Sequence, residues 1–220
     1  MQLGARVARD QGDAMQTATE FLGTMRKHHA PSECHLIDTA FEIAAEAHDG
    51  QTRKSGDPYL VHPIAVALLP GELLRLHDWR FVAVGLLHDV VEDCSGFDQR
   101  RIVTSLGPEI LASVLVLTKD SKRKHEFLRQ IRHQGGVLEW IIKLCDKIHN
   151  LSTIEFLAAA DARRIVANAR RDYLPLARDL AGRLETREKW WSGVLHAEIA
   201  RLCREHERRE RQRGDTRDGL

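Results

Sequence analysis

Eight residues, Leu86-Leu87-His88-Asp89-Val90-Val91-Glu92-Asp93, constrain this chain more than any other stretch. Just upstream, Phe81, Val82, Val84, Leu86 and Leu87 form an apolar run with no punctuation beyond Gly85, which predicts a largely buried helix. On such a helix His88 and Glu92 are four residues apart, Asp89 and Glu92 three, and Asp89 and Asp93 four, so all four side chains share one face. Three carboxylates and an imidazole crowded together repel one another unless something neutralises them. A divalent cation does so most simply, because imidazole and carboxylate together suit Zn, Mn or Fe. The competing reading is a solvated acidic helix end, and the rest of the chain decides between the two.

Apolar residues recur at helical spacing through most of the sequence. Leu36, Ile37, Ala40, Phe41, Ile43 and Ala44 predict a helix over about 32–48, ended by Asp49-Gly50. His62-Pro63 opens another, with Pro in a favourable first-turn position, and Pro70-Gly71 is expected to break it. Short helices are predicted from Asp98 to Leu106 and from Pro108 to Leu117, then a polar one to about His133. A strongly apolar helix follows from Val137 to Leu151, and two more at roughly 161–182 and 185–205. No strand pattern, repeat or linker interrupts them. The expected fold is all-α, a single helical bundle with a buried metal site. Residues 1–30 read as a leader and short helix, 31–204 as the catalytic-type domain, and 205–220 as a charged, disordered tail.

Three other features bear on the acidic cluster. His62, one residue before a proline, is by itself an ordinary capping or core histidine. Asp146 lies within the apolar stretch Lys143-Leu-Cys-Asp-Lys-Ile-His-Asn150, where an ionised carboxylate needs a lysine partner or a metal. The loop Gln51-Thr-Arg-Lys-Ser-Gly-Asp-Pro-Tyr59 holds more donors than a connector requires.

An ordered His, then His-Asp, then a distant Asp, all on helices, resembles the HD phosphohydrolase superfamily. Ala47 through Pro63, His88 through Asp93 and Lys143 through Leu151 are similar to the three hydrolase motifs of the Rel/SpoT family, which degrades the alarmones (p)ppGpp. The likeness covers about residues 33–180 and suggests a small, stand-alone hydrolase. It implies His62, His88, Asp89 and Asp146 as ligands of one Mn²⁺ per chain, and Glu92 and Asp93 as catalytic acids. It also implies Arg53, Lys54, Ser55, Lys143, Asn150, Thr153 and Tyr173 at the nucleotide. The spacing alone does not select Mn over Zn. One departure is Ala169, where some relatives place an arginine on the distal phosphates. Lys119, Lys122, Arg123 and Lys124 offer charge in its stead.

The implied reaction is hydrolysis of the 3′-diphosphate of (p)ppGpp to GDP or GTP and pyrophosphate. The alternatives are a phosphatase for another nucleotide such as NADPH, or an inactive nucleotide-binding module. The 33 Lys and Arg nearly cancel the 32 Asp and Glu, and aromatic residues are only 5%, which argues against nucleic acid as a partner. Four scattered cysteines without a C-x-x-C pair, and no membrane-length apolar run or signal-type N-terminus, point to a cytoplasmic chain that has no membrane partner and is compatible with a homo-oligomer.

Overall fold

The structure, a computed structural model, describes residues 14–119 and 126–215. The expected all-α architecture is what it shows: among the described residues there is no strand, only an isolated bridge between Thr52 and Pro58 that pinches the loop before His62. In chain order the helices are α1 (Ala14–His28), α2 (Pro31–Ala47), α3 (Val61–Leu74), α4 (Trp79–Leu87), α5 (Val90–Asp93), α6 (Arg100–Leu106) and α7 (Pro108–Leu117). They continue as α8 (Phe127–Gln134), α9 (Val137–Ser152), α10 (Ala159–Asn168), α11 (Leu174–Asp179) and α12 (Trp190–Asp215).

The core is built on α3, α4 and α9, and their packing positions the site. Helix α3 is apolar on nearly every side and buries Ile64, Val66, Ala67 and Leu74. Gly85 lets α4 lie directly on it, because a Cβ there would stand 2.8 Å from the Ala67 Cα. Helix α9 is as buried as a core helix yet carries Lys143, Asp146, Lys147 and His149, none more than 9% exposed. Polar groups so deep must find partners, and they find them in one another and in α3.

Several sequence expectations are corrected. Pro70-Gly71 does not end α3, which runs on to Leu74 and stops at Arg75 in the left-handed conformation (φ 57°). Pro70 is buried in the core, and packing overrides the local tendency to break. The helix carrying the acidic cluster is not continuous. α4 stops at Leu87 and α5 restarts at Val90, with a turn at His88-Asp89 between them. The Gly85 carbonyl, which in an unbroken helix serves the Asp89 N–H, receives the His88 Nδ1–H at 2.8 Å. The stretch read as one helix over 161–182 is α10, a π-type turn at Ala169–Tyr173, α11 and a 3₁₀ turn.

The tail is also different over 205–215, where α12 continues instead of dissolving. Its charges are paired along the helix (Arg201 with Glu198 and Glu205, Arg209 with Glu205) and across to neighbours: Arg170–Glu207 at 2.6 Å, Arg163–Glu210 at 3.2 Å and Arg209–Glu155 at 3.3 Å. A composition that reads as disorder is here an ion-pair-laced helix. The leader expected at residues 1–13, the last residues 216–220, and Lys122, Arg123 and Lys124 lie outside the described residues.

Candidate active site

Four side chains from three places converge beneath the loop that precedes α3. His62 comes from the first turn of α3, His88 and Asp89 from the turn after α4, and Asp146 from the middle of α9. The His62 Nε2 stands 3.4 Å from an Asp89 oxygen and 3.3 Å from an Asp146 oxygen. The His88 Nε2 stands 3.1 Å and 4.0 Å from the same two carboxylates. The three separations of 3.1–3.4 Å match the edges of a coordination polyhedron with bonds of about 2.0–2.2 Å, while the 4.0 Å from His88 to Asp146 is wider than an edge.

Tautomers decide whether the cluster suits a cation. His88 donates its Nδ1–H to the Gly85 carbonyl, so the neutral ring that binds a cation presents its lone pair on Nε2. That Nε2 is fully buried and has no hydrogen-bond partner. The Nδ1 of His62 lies 2.8 Å from the Nδ1 of His149, a second ring that can hold the first in its ligating tautomer. His149 is kept neutral by burial and by the cations around it, which push its pKa well below the usual histidine value. A buried, unpartnered imidazole lone pair beside two carboxylates fits a divalent cation.

The electrostatics agree. Burial pushes Asp146 upward, but Lys143, His62 and His88 outweigh it and hold its carboxyl well below the usual range. Asp89 behaves likewise under His88 and His62. Burial opposes a charged His88, yet Asp89 and Asp146 raise its pKa overall, a pull that a bound cation would replace. Lys143 is buried with its ammonium 2.7 Å from Asp146, and its pKa is raised, burial being outweighed by that carboxylate.

A cleft of about 410 Å³ opens over this cluster. Its walls contain Arg53, Lys54, Ser55, Lys143, Asn150 and Thr153, as the sequence suggested for a nucleotide. Arg53 donates to the Asn150 Oδ1 at 3.2 Å, and Asn150 donates in turn to Asp146 at 2.5 Å, which links the loop to the cluster. Thr153 is the residue that caps α9, its hydroxyl donating to the His149 carbonyl at 3.1 Å. Tyr173 is not brought to the cleft: it is 5% exposed and packs in the core beneath the Lys147 ammonium, 4.3 Å from its ring centre. Ala169, the departure from the pattern that the resemblance implies, is fully buried.

Glu92 and Asp93 both line the cleft but, as neighbours on the single turn of α5, face different partners. Glu92 accepts from the Lys119 N–H at 3.0 Å. Asp93 lies 2.7 Å from the Tyr59 hydroxyl, which is also 2.8 Å from Asp89. One phenol proton serves two carboxylates there. Burial and both carboxylates raise the Tyr59 pKa, so it stays a donor. The sequence reading assigned no role to Tyr59 or His149, although both lie inside its quoted motifs. It also passed over Asp161 and Arg164, paired at 2.9 Å at the far side of the cleft, with Lys54 3.6 Å from the same carboxylate.

Comparison with known proteins agrees with this geometry. Residues 40–136 match the HD domain family. The chain is 34% identical over 155 residues to a guanosine-3′,5′-bis(diphosphate) 3′-pyrophosphohydrolase of Borreliella burgdorferi, covering 66% of this chain and 23% of that protein. It is 35% identical over 150 residues to the bifunctional (p)ppGpp synthase/hydrolase SpoT of Escherichia coli, covering 64% and 21%. A GTP pyrophosphokinase of Myxococcus xanthus is 31% identical over 170 residues, covering 71% and 22%. The chain thus spans about a fifth to a quarter of the length of these curated relatives. A solved structure of a metazoan SpoT orthologue, described as hydrolysing ppGpp, superposes with a TM-score of 0.59 at 22% identity, covering 77% of this chain and 94% of that one. The helical fold and the His/Asp cluster define an HD-domain protein. Within that class, the chain belongs to the Rel/SpoT family.

Proposed function

We propose that this chain is a metal-dependent 3′-pyrophosphohydrolase of (p)ppGpp, releasing pyrophosphate and leaving GDP or GTP. The observation that carries the reading is the buried, unpartnered Nε2 of His88 facing Asp89 and Asp146 at the floor of a cleft that also holds Glu92 and Asp93. A binding module needs the cation site but has no use for two further carboxylates beside it.

In this reading His62, His88, Asp89 and Asp146 hold the cation, with Mn²⁺ as the native ion. When bound, it supplies Lewis acidity toward water and a phosphate oxygen. Glu92 takes a proton from the attacking water, whose oxygen forms a bond to the phosphorus attached to O3′. The P–O3′ bond breaks, O3′ regains a proton, and pyrophosphate leaves carrying the water oxygen. Asp93, oriented by Tyr59, is the second carboxylate at the reacting end.

Arg53 and Lys54 lie against the nucleotide, Arg53 suited to it by a planar cation that stacks on a base or forks onto phosphate. Ser55, Asn150 and Thr153 contribute hydrogen bonds along the cleft wall. Lys119 and Arg164 add positive charge to the cleft wall. The hydrolase unit is residues 31–204, acting in the cytoplasm as part of a stringent-response pathway. No helix of the described residues is long and apolar enough to cross a membrane.

The test is turnover of ppGpp by Mn²⁺-loaded and chelator-stripped protein, with NADPH run in parallel. Release of pyrophosphate from ppGpp only in the loaded sample supports the reading. Preferential turnover of NADPH, or none of either, refutes it.

A further inference from the structure

Glu92 is not held in the cleft by its own short helix alone. Its carboxylate is fixed by Lys119, through the backbone N–H at 3.0 Å and the ammonium at 3.4 Å. Lys119 sits two residues beyond the end of α7, where the last carbonyls of a helix have no intrahelical donor. One side chain from α8 serves that end. The Gln130 Nε2 lies 2.9 Å from the Val116 carbonyl and 3.3 Å from those of Leu115 and Thr118. Two amide hydrogens are thus shared among three carbonyls that lead directly into the Lys119 N–H. One turn earlier on the same helix, the buried Phe127 ring sits 5.1 Å from the Lys119 ammonium and 4.9 Å from that of Lys143, the partner of Asp146.

We infer that Gln130 is a positioning residue for Glu92, acting through the carbonyls at the end of α7 and the Lys119 N–H. The inference rests on the reading above that Glu92 takes the proton from water. Without an amide donor at position 130, Leu115 keeps the Thr118 N–H, but the Val116 and Thr118 carbonyls turn toward solvent, and the Thr118–Lys119 peptide carries the Lys119 N–H with it. An ångström of misplacement at a reacting group lowers rate by about 10²-fold.

The experiment compares Gln130→Leu, which removes the donor, Gln130→Glu, which sets an acceptor against carbonyls, and Gln130→Lys, which restores donors at similar reach. On Mn²⁺-loaded protein, kcat and KM for ppGpp are measured per bound metal, together with hydrogen exchange at the Lys119 amide. The expected result is faster Lys119 exchange and a kcat about 10- to 100-fold lower for Leu and Glu, with KM and metal content within about twofold. Lys should recover most of both. Unchanged Lys119 exchange in the Leu and Glu variants overturns the inference, as does an unchanged kcat alongside faster exchange. If wild-type protein does not turn over ppGpp, or Glu92→Gln keeps its rate, the functional reading has failed instead. Lys119 exchange then still decides whether Gln130 orders that segment.

Discussion

The Nδ1 atoms of His62 and His149 lie 2.8 Å apart in the core, so one of the two carries a proton and the other a lone pair. If the Nε2 of His62 is to face a cation, its Nδ1 must be the donor and His149 the acceptor. Replacing His149 with Phe removes that acceptor while keeping a planar ring. Affinity for Mn²⁺ should fall by about 10- to 100-fold, the usual penalty for losing the partner of a ligating histidine. Calorimetric titration of metal-free protein checks this, and wild-type affinity in the variant would mean that His149 only fills space.

Gly85→Ala should destabilise the protein by about 1–3 kcal/mol, the usual range for overpacking a tight core. The added methyl meets the α3 backbone at Ala67, so the neighbour that must give is not a flexible side chain. Since α3 carries His62 and α4 leads into His88, metal affinity should fall in the same variant. A denaturant titration and a metal titration on one preparation report both effects.

Lys143→Met should separate the metal-free from the loaded protein. The ammonium pairs with Asp146 at 2.7 Å, and removing it leaves a buried carboxylate beside Asp89. Breaking a buried pair in this way costs about 3–5 kcal/mol in the metal-free state. A divalent cation compensates for the missing charge, so the rise in melting temperature on adding Mn²⁺ should be larger in the variant than in wild type. An equal rise in both would show that Lys143 and the cation answer to different charges.

Most of the fold was legible because apolar positions repeat at helical spacing in α2 and α9 or form unbroken apolar runs in α3 and α4, and the metal-type residues stood out as charges in apolar surroundings. Most of what escaped the sequence depends on contacts distant along the chain. The continuation of α3 through a buried Pro70 is set by packing that no local window contains, and the turn at His88-Asp89 by a side chain, His88, taking the Gly85 carbonyl from the helix, which apolar periodicity does not register. Tyr59 and Asp93 are 34 residues apart, and Glu92 and Lys119 are 27. Tyr173 was expected at the nucleotide from resemblance, but its ring is covered by Lys147.

The charged end of α12, expected from its composition to be disordered, is paired to neighbouring helices and so contributes to stability. Removing residues after Arg204 deletes Glu207, Glu210 and Arg209 with their cross-helix pairs. Exposed pairs are worth about 0–1 kcal/mol each, so a modest fall in melting temperature is expected at neutral pH. Arg170 holds the Glu207 carboxyl below its ordinary value of 4.5. A carboxyl depressed in the folded state stabilises above its unfolded pKa and loses that contribution as pH falls through the folded one. The difference between full-length and truncated protein should therefore be present at pH 7 and shrink below about pH 4.5. A difference that is flat across this range would assign the tail's effect to apolar packing.

The central claim is that the His62, His88, Asp89 and Asp146 cluster and Glu92 together direct water at the phosphorus next to O3′. A single turnover of ppGpp by Mn²⁺-loaded protein in ¹⁸O-water, followed by mass spectrometry of both products, tests it most directly. The account predicts one ¹⁸O in pyrophosphate and none in GDP, with the rate falling about 10²- to 10⁴-fold in Glu92→Gln while nucleotide still binds. Label in GDP, release of orthophosphate instead of pyrophosphate, or an undiminished rate in Glu92→Gln would contradict it.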